Sequence, residues 1–209
     1  MLPIMINTKN KYALIIGAGN VAYRKICKVL DHNMKVIVIA PSVCKKIEEL
    51  LVKYSDAIKI YHENYTKDFI VKMEKEFEFF NDISFVIAAT NNECVNSKIV
   101  YDFKKYKILT SSITEAKEID FKFVGEISRG DLTITVSTNG KFPGLTKKIR
   151  KEIETDFPKE YSEYLNYLSK ERYKIINREN DEDIKKKRIE ELLKISYEKY
   201  ILLTQEGNK

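Results

Sequence analysis

Residues 12–25, which read YALIIGAGNVAYRK, decide the fold that this sequence predicts. Four apolar residues run directly into Gly17-Ala18-Gly19, and a helix-forming segment follows over 21–30. This order matches the G-x-G-x-x-A pattern, in which the first glycine allows a tight turn and the second lets the backbone approach a pyrophosphate. The start of the helix then offers free N–H groups to the phosphates. Because many glycine-rich turns bind nothing, the meaning of this stretch depends on the rest of the chain.

The residues up to 112 alternate between apolar, strand-like runs and helical segments. Strands are predicted at 12–16, 35–41, 57–61, 84–92 and 107–111, and helices at 21–30, 43–54, 65–80 and 93–106. Ser42 is expected to cap the second helix, because a serine side chain can accept a hydrogen bond from the first turn. Alternating helices and continuous apolar strands indicate a parallel sheet covered on both faces. The ends of its strands should meet at the carboxyl edge, where open α/β sheets bind ligands.

The pattern changes after residue 112. Two runs, 120–127 and 131–137, alternate apolar and polar residues on either side of the short break Ser128-Arg129-Gly130. This alternation with period two predicts a hairpin. A basic helix is expected to follow over 145–155.

The tail beyond Pro158 has helical spacing, with a break at 177–183 and a further helix over 184–203. The predicted fold class is therefore α/β: a Rossmann-like parallel-sheet domain, then a small α+β region, then a C-terminal helical domain. The predicted boundaries of these three parts are 1–112, 113–150 and 151–209.

The composition indicates an ordinary globular protein without a membrane span. Of the 209 residues, 44% are apolar and 33% are charged, and no apolar run approaches the roughly 20 residues that cross a bilayer. The first residues lack the basic stretch of a secretory signal, so the cytoplasm is the expected compartment. The formal charge of +6 suits an anionic small molecule. Basic and acidic residues are interleaved, however, which argues against nucleic acid as a partner.

The residues that commonly bind metals are scattered along the chain. Cys27, Cys44 and Cys94 are widely spaced and form no C-x-x-C pair, so neither a disulfide framework nor a zinc site is supported. His32 and His62 are isolated from other ligand types. We therefore predict no resident metal.

Several separate blocks, in one order, resemble the precorrin-2 dehydrogenase/sirohydrochlorin ferrochelatase family of sirohaem synthesis. The blocks are Leu2-Pro3-Ile4, 17–22 with Arg24-Lys25, 38–41, 86–92 with Asn96, Asp120-Phe121 with Arg129-Gly130, and 134–137 running to Pro143 and Arg150. The resemblance covers residues 1–157. The glycine turn alone would say little, but its combination with the Ser-Thr-Asn-Gly-x-x-Pro segment at 137–143 and the basic helix is specific.

This resemblance implies an NAD-dependent oxidation of precorrin-2 to sirohydrochlorin by a homodimer whose central hairpin region, at 113–150, forms much of the interface. Some members also insert iron or cobalt into the product, so a metal ion is a possible second substrate. Two alternatives stay open: a sirohydrochlorin metal chelatase on the same scaffold, and a catalytically impaired homologue that binds the tetrapyrrole or NAD. An intact glycine turn favours the dehydrogenase over the chelatase.

The resemblance also assigns roles to individual residues. The cofactor-binding candidates are Gly17, Gly19, Asn20, Val21, Pro41, Ser42 and Thr90. The substrate-binding candidates are Ser137 and Asn139. The second strand ends without the acid that holds the ribose in common NAD enzymes, and no arginine stands there for a 2′-phosphate. The family often lacks this acid too, so its absence does not argue for NADP, and the resemblance implies NAD as the cofactor.

The segment 110–116 departs from the family. The family has an aspartate here that is implicated in catalysis, and counting back from Asp120 places it at Thr114. A threonine hydroxyl cannot accept a proton near neutral pH or hold a metal as a carboxylate does. Glu115, with its longer side chain, could serve after a shift of one residue, or Asp120 could contribute. The predicted catalytic residues are therefore Glu115 and Thr114, and the loss of activity is the alternative.

Overall fold

The computed structural model describes residues 1–114 and 118–206 and divides the chain into two units, Met1–Lys122 and Phe123–Lys209. The first unit contains β1 (Tyr12–Ile16), β2 (Lys35–Ile39), β3 (Ile58–Tyr61), β4 (Ile83–Ala88) and β5 (Leu109–Ser112). Its helices are α1 (Asn20–Asp31), α2 (Lys45–Lys53), α3 (Lys67–Glu76) and α4 (Glu93–Lys104), with a 3-10 turn at Glu78–Asp82. The three-part division predicted from the sequence stays a prediction.

The five strands form one parallel sheet in the order β3-β2-β1-β4-β5. This order reverses between β1 and β4, because the chain winds outward from β1 to β3 and then crosses back to the other side of β1. Ile16 pairs with Ile39 on one side and with Ala88 on the other, so the three central strands end level. The predicted α/β class with a Rossmann-like sheet is confirmed, and a topological switch point lies at the carboxyl ends of β1 and β4.

The central strands are buried on both faces, as their continuous apolar sequences predict. In β1 and β4 the side chains of Leu14, Ile15, Val86 and Ile87 are at most 1% exposed. Met73 on α3 and Phe103 on α4 are fully buried in the same unit. Burying one such side chain contributes about 1.5–3 kcal/mol, so this core holds the strand ends in place.

The second unit begins with an antiparallel hairpin, β6 (Gly125–Arg129) and β7 (Leu132–Val136). Gly130 occupies its turn with a φ of +61°, a region that favours glycine. Four helices follow: α5 (Pro143–Asp156), α6 (Tyr161–Arg178), α7 (Glu182–Leu193) and α8 (Tyr197–Glu206). Among the described residues of β6, β7 and α5, only Ile127 is buried. The described part of the chain contains no helix with the length and apolarity that a membrane crossing needs.

The Arg129 side chain connects the hairpin to the end of α5. Its Nε donates to the Phe157 carbonyl oxygen at 2.6 Å, and one Nη donates to the Glu154 carbonyl oxygen at 3.5 Å. Carbonyl groups in the last turn of a helix have no partner within the helix, so this guanidinium satisfies two acceptors that the fold leaves open.

Two sequence-based details are wrong. Ser42 does not cap the second helix, which begins at Lys45 with Cys44 in the cap position. The backbone N–H of Cys44 donates to the Ala18 carbonyl oxygen at 3.1 Å, which holds the segment after β2 against the glycine turn. The helix therefore begins only after Cys44. The helix expected over 184–203 is two helices, because the chain breaks between Leu193 and Tyr197.

Candidate cofactor site

A cavity of about 700 Å³ lies in the first unit at the carboxyl edge of the sheet. Its walls come from the glycine turn, the loop after β2, the segment before α3 and the end of β4. The lining residues are 16–21, 39–44, Asn64, Tyr65, 89–92, Val95 and Ile113. The structure brings all of the residues assigned to the cofactor from the sequence, Gly17, Gly19, Asn20, Val21, Pro41, Ser42 and Thr90, to this one cavity.

The two glycines of the turn have different surroundings. Gly17 has a φ of +108°, and a Cβ built on it would lie 2.3 Å from the Ala89 carbonyl oxygen. A Cβ built on Gly19 would meet no atom within 4 Å. Gly17 is therefore required for the packing of β1 against the end of β4, whereas the absence of a side chain at Gly19 leaves open space beside the cavity.

The first turn of α1 supplies the electrostatic character of this wall. Gly19 is the N-cap residue, and the first turn contains no acidic side chain. The leading N–H groups of a helix have no acceptor within the helix, and the helix dipole gives them a partial positive charge. None of the described residues that line the cavity carries a charged side chain. Backbone dipoles therefore provide the attraction for an anionic group.

Thr90 and Asn96 form the wall at the end of β4. The Asn96 side chain is fully buried, and its Oδ1 accepts hydrogen bonds from the Thr90 N–H at 3.0 Å and the Thr90 hydroxyl at 2.7 Å. Its Nδ2 donates to the Thr90 carbonyl oxygen at 3.0 Å. The N–H, the hydroxyl and the carbonyl oxygen of Thr90, a candidate from the sequence, are thus all hydrogen-bonded to Asn96. Asn96 itself was not among the site residues inferred from the sequence.

The Thr114 hydroxyl belongs to the same network. It accepts a long hydrogen bond of 3.4 Å from Asn96 Nδ2 and lies 3.0 Å from the Ser112 hydroxyl. The other catalytic candidate, Glu115, lies outside the described residues. Asp120 accepts hydrogen bonds from the N–H and the hydroxyl of Thr110, both at 2.8 Å. One carboxylate oxygen of Asp120 is therefore used to fix the start of β5.

A buried carboxylate on α4 is the partner of Tyr65, which also lines the cavity. The Tyr65 hydroxyl donates to Asp102 Oδ2 at 2.8 Å, and Asp102 is 6% exposed. Burial, together with the hydrogen bond to Asp102, raises the pKa of Tyr65 well above its usual value. Sequence reasoning missed this pair because the two residues are 37 positions apart and neither belongs to a motif.

The two substrate candidates lie in the second unit. Ser137 and Asn139 are exposed, and the Ser137 hydroxyl accepts a hydrogen bond from the Asn139 N–H at 3.1 Å. Asn139 and Gly140 have φ values of 52° and 83°, and the Lys141 N–H donates to the Thr138 carbonyl oxygen. The two positive φ angles are those of a type I′ turn, which accounts for the Asn-Gly pair in structural terms.

Comparison with known proteins assigns the first unit to a family. Residues 4–125, more than half of the chain, match the family described as putative NAD(P)-binding. The chain belongs to this family. Residues 129–155 match the family described as sirohaem biosynthesis protein central.

The relatives of this NAD(P)-binding chain agree with the resemblance inferred from its motifs. It is 28% identical to the precorrin-2 dehydrogenase of Priestia megaterium, over 80% of this chain and 77% of that protein. It is 34% identical to the siroheme biosynthesis protein met8 of Schizosaccharomyces pombe, over 74% of this chain and 55% of that protein. The siroheme synthase of Blochmanniella pennsylvanica is 29% identical, but the match covers 76% of this chain and only 30% of that protein.

A solved structure shares the fold. SirC, a precorrin-2 dehydrogenase, superposes with a TM-score of 0.70 at 24% identity, and the match covers 99% of this chain and 98% of SirC. At this level of identity the similarity concerns the fold.

The cavity of this NAD(P)-binding protein fits a nicotinamide dinucleotide. Its volume of about 700 Å³ is within the range of small-molecule sites. The open space at Gly19 allows a pyrophosphate to approach the backbone, and the start of α1 presents N–H groups to it. As the resemblance implies, the glycine turn could hold the pyrophosphate, Pro41 and Ser42 the adenosine half, and Thr90 the nicotinamide half.

Proposed function

We propose that this protein is an NAD-dependent dehydrogenase that oxidises precorrin-2 to sirohydrochlorin. The observation that carries the proposal is the cavity at the switch point, whose glycine turn leaves the space and the N–H groups that a pyrophosphate needs. The similarity to the Priestia megaterium precorrin-2 dehydrogenase over most of both chains supports the choice of substrate.

The reaction removes two hydrogens from the reduced macrocycle. One leaves as a hydride and the other as a proton, and a carbon–carbon or carbon–nitrogen double bond forms in the product. The bound cofactor supplies the hydride acceptor at C4 of its nicotinamide ring. The protein binds and orients the two reactants, and it provides a group that takes the proton. We propose Glu115 as this group, with the Thr114 hydroxyl as a hydrogen-bonding contact.

NAD is proposed rather than NADP because of the side chains around the adenosine half. The described residues of the loop after β2 that line the cavity, including Pro41 and Ser42, are neutral. A 2′-phosphate would therefore meet no cationic side chain in the wall of the cavity, whereas two ribose hydroxyl groups can hydrogen-bond to neutral partners.

The second unit is proposed to contact the carboxylates of the tetrapyrrole through Ser137, Asn139 and the basic residues of α5. In that helix Lys148 and Arg150 pair with Glu152 and Glu154, at 3.8 Å and 3.4 Å. The remaining basic residues, Lys147 and Lys151, form no ion pair among the described residues. The proposed substrate carries eight carboxylates, so the positive charges of these two lysines would attract it.

A homodimer in the cytoplasm is part of the same proposal. The hairpin and α5 bury only Ile127, while Phe142 and Leu145 are 63% and 40% exposed. Exposed apolar side chains around a small hairpin are typical of an interface between chains. Sedimentation velocity of the purified protein tests the oligomeric state, and a monomer at micromolar concentration would contradict it.

The direct test supplies purified protein with precorrin-2 and with NAD, NADP or no cofactor. We expect sirohydrochlorin and NADH to appear together in equal amounts with NAD, and at least tenfold more slowly with NADP. The absence of any NAD-dependent product would overturn the dehydrogenase proposal. Equal rates with the two cofactors would overturn the choice of NAD alone.

Thr114 favours a second candidate, a homologue that binds NAD and the tetrapyrrole without oxidising it. The position that carries an aspartate in the family holds a neutral hydroxyl here, within a network of neutral groups. Saturable binding of NAD and of sirohydrochlorin, with no turnover, would support this candidate. Insertion of cobalt or iron into supplied sirohydrochlorin would instead indicate a chelatase.

A further inference from the structure

Asn96 uses its whole hydrogen-bonding capacity on two threonines. Its amide oxygen accepts from the N–H and the hydroxyl of Thr90, and its amide nitrogen donates to the Thr90 carbonyl oxygen and the Thr114 hydroxyl. A primary amide has two acceptor and two donor positions, so none is left over. Because the Thr90 N–H can only donate, the atom of the Asn96 amide that faces it must be the oxygen, and this assigns the orientation of the amide.

The network passes from the cavity wall to the segment after β5. Thr90 lines the cavity, and so does Ile113, which lies between Ser112 and Thr114. The Ser112 hydroxyl accepts from the Thr114 N–H at 3.2 Å and lies 3.0 Å from the Thr114 hydroxyl. Only one of the two hydroxyl hydrogens can lie between these oxygens. The donation from Asn96 to the Thr114 oxygen therefore bears on which hydroxyl donates to the other.

Asn96 is separated from solvent and from the cavity. It is fully buried and is not among the residues that line the cavity. Its side chain stands on α4, which packs against β4 and β5. Asn96 thus joins the end of β4 to the segment after β5.

We propose that Asn96 is a positioning residue for the nicotinamide half of the cofactor site. It sets the position of Thr90 at the end of β4 and the orientation of the Thr114 hydroxyl. The proposal rests on the proposed function, because it requires that a nicotinamide dinucleotide binds in this cavity. It concerns the end of β4 and does not involve the N–H groups at the start of α1.

Binding measurements separate this role from a purely structural one. Asn96→Ala and Asn96→Asp are compared with the wild type by calorimetric titration with NAD and with ADP, which lacks the nicotinamide half. We expect both variants to bind NAD at least fivefold more weakly and ADP within twofold of the wild type. Thr66→Ala is the matched control. Thr66 accepts a hydrogen bond from the Phe69 N–H and so caps α3, and its replacement should lower the stability of the protein without changing the Asn96 network.

The outcomes distinguish the two proposals. Parallel losses for NAD and ADP, or no loss for either, would overturn the positioning role while leaving the proposed function in place. If the wild type fails to bind NAD, the proposed function itself is overturned. Asn96→Asp retains the side-chain shape and the acceptor for the Thr90 N–H, so it keeps the test valid if Asn96→Ala does not fold.

A double-mutant cycle tests the connection to Thr114. Thr114→Val removes the hydroxyl at nearly constant shape, and we expect it to lower kcat at least fivefold with the NAD dissociation constant unchanged. In the Asn96→Ala background the same substitution should change kcat by less than twofold, because residues in one network are not additive. Fully additive effects would show that Thr114 does not act through Asn96.

Discussion

Gly17 and Ala89 lie so close that a Cβ on Gly17 would be 2.3 Å from the Ala89 carbonyl oxygen. This contact joins the turn after β1 to the end of β4, and it is reinforced by the Ala89 N–H, which donates to the Ile16 carbonyl oxygen at 2.7 Å. The switch point of the sheet is therefore packed backbone against backbone, and the position of the glycine turn follows from it.

Gly17→Ala should destabilise the protein by about 3 kcal/mol, because a side chain at a φ of +108° is strained and collides with a main-chain carbonyl. Urea denaturation measures the change in the free energy of unfolding. Gly144→Ala is the matched control: its Cβ would make an ordinary contact of 3.6 Å with the Phe142 ring inside α5. That control should be neutral or stabilising by up to about 1 kcal/mol, and a similar loss in both variants would contradict the prediction.

Gly19→Asp should have opposite effects on stability and on binding. Aspartate is a favoured N-cap residue, and a Cβ at Gly19 meets no atom, so the free energy of unfolding should stay constant or rise. The new carboxylate would repel the pyrophosphate, and we expect the NAD dissociation constant to rise at least tenfold. Gly19→Asn, equal in shape but neutral, should weaken binding less. Equal NAD affinities for the two variants would rule out the electrostatic part of this explanation.

Tyr65→Phe should destabilise the first unit by about 1–3 kcal/mol at neutral pH, because Asp102 would lose its hydrogen-bond donor while staying buried. Thermal and urea unfolding both report this change. Tyr173→Phe is a suitable control, since Tyr173 is 70% exposed. A Tyr65→Phe variant as stable as the wild type would mean that water replaces the lost partner.

The same pair predicts a pH dependence at alkaline pH. The pKa of Tyr65 is raised in the folded protein, so Tyr65 keeps its proton at pH values where the unfolded chain, with a tyrosine pKa of about 10, loses it. The unfolded state then binds fewer protons, and stability falls as the pH rises. Because Tyr65→Phe lacks this group, the stability difference between wild type and variant should narrow above about pH 10. Urea midpoints measured on both sides of that pH test it, and a constant difference would contradict it.

Arg129→Gln should weaken the attachment of the hairpin to α5 by about 1–2 kcal/mol, because two helix-end carbonyl oxygens lose their charged donor. Hydrogen exchange of the last turn of α5 should accelerate, while exchange in β1 and β4 should not change. Arg172→Gln, on the exposed side of α6, serves as the control. Unchanged protection in α5 would show that solvent satisfies these carbonyl groups equally well.

Glu115→Gln should lower kcat for precorrin-2 oxidation at least tenfold without changing NAD affinity, if Glu115 accepts the proton. Glu118→Gln is the matched control, because Glu118 is an exposed carboxylate, three positions further along the chain, that pairs with Lys104. Steady-state kinetics compare kcat for Glu115→Gln with kcat for Glu118→Gln. Unchanged turnover in Glu115→Gln would remove Glu115 from the mechanism and leave Asp120 as the remaining carboxylate named from the sequence.

The sheet could be predicted from the sequence because its signals are local. The strand β1 has the bounds predicted for it, and β2, β3 and β4 each begin or end within a few residues of their predictions. Continuous apolar runs form strands buried on both faces, and their alternation with helices specifies parallel pairing. The hairpin begins later than expected, at Gly125 rather than at residue 120, because Asp120 is held by Thr110. A hydrogen bond between a side chain and a distant backbone group does not alter the pattern of apolar and polar residues, so the sequence does not indicate it.

By itself, the sequence determined the fold class, the family and the residues that form the turn for a dinucleotide, since each of these depends on short motifs in a fixed order. Only the tertiary structure decided which polar side chains stand behind that turn. Asn96 reaches Thr114 across 18 positions and Tyr65 reaches Asp102 across 37, which are distances along the chain that no motif spans. The physical reason is that a buried polar group must find a partner in space, and folding brings that partner from another element.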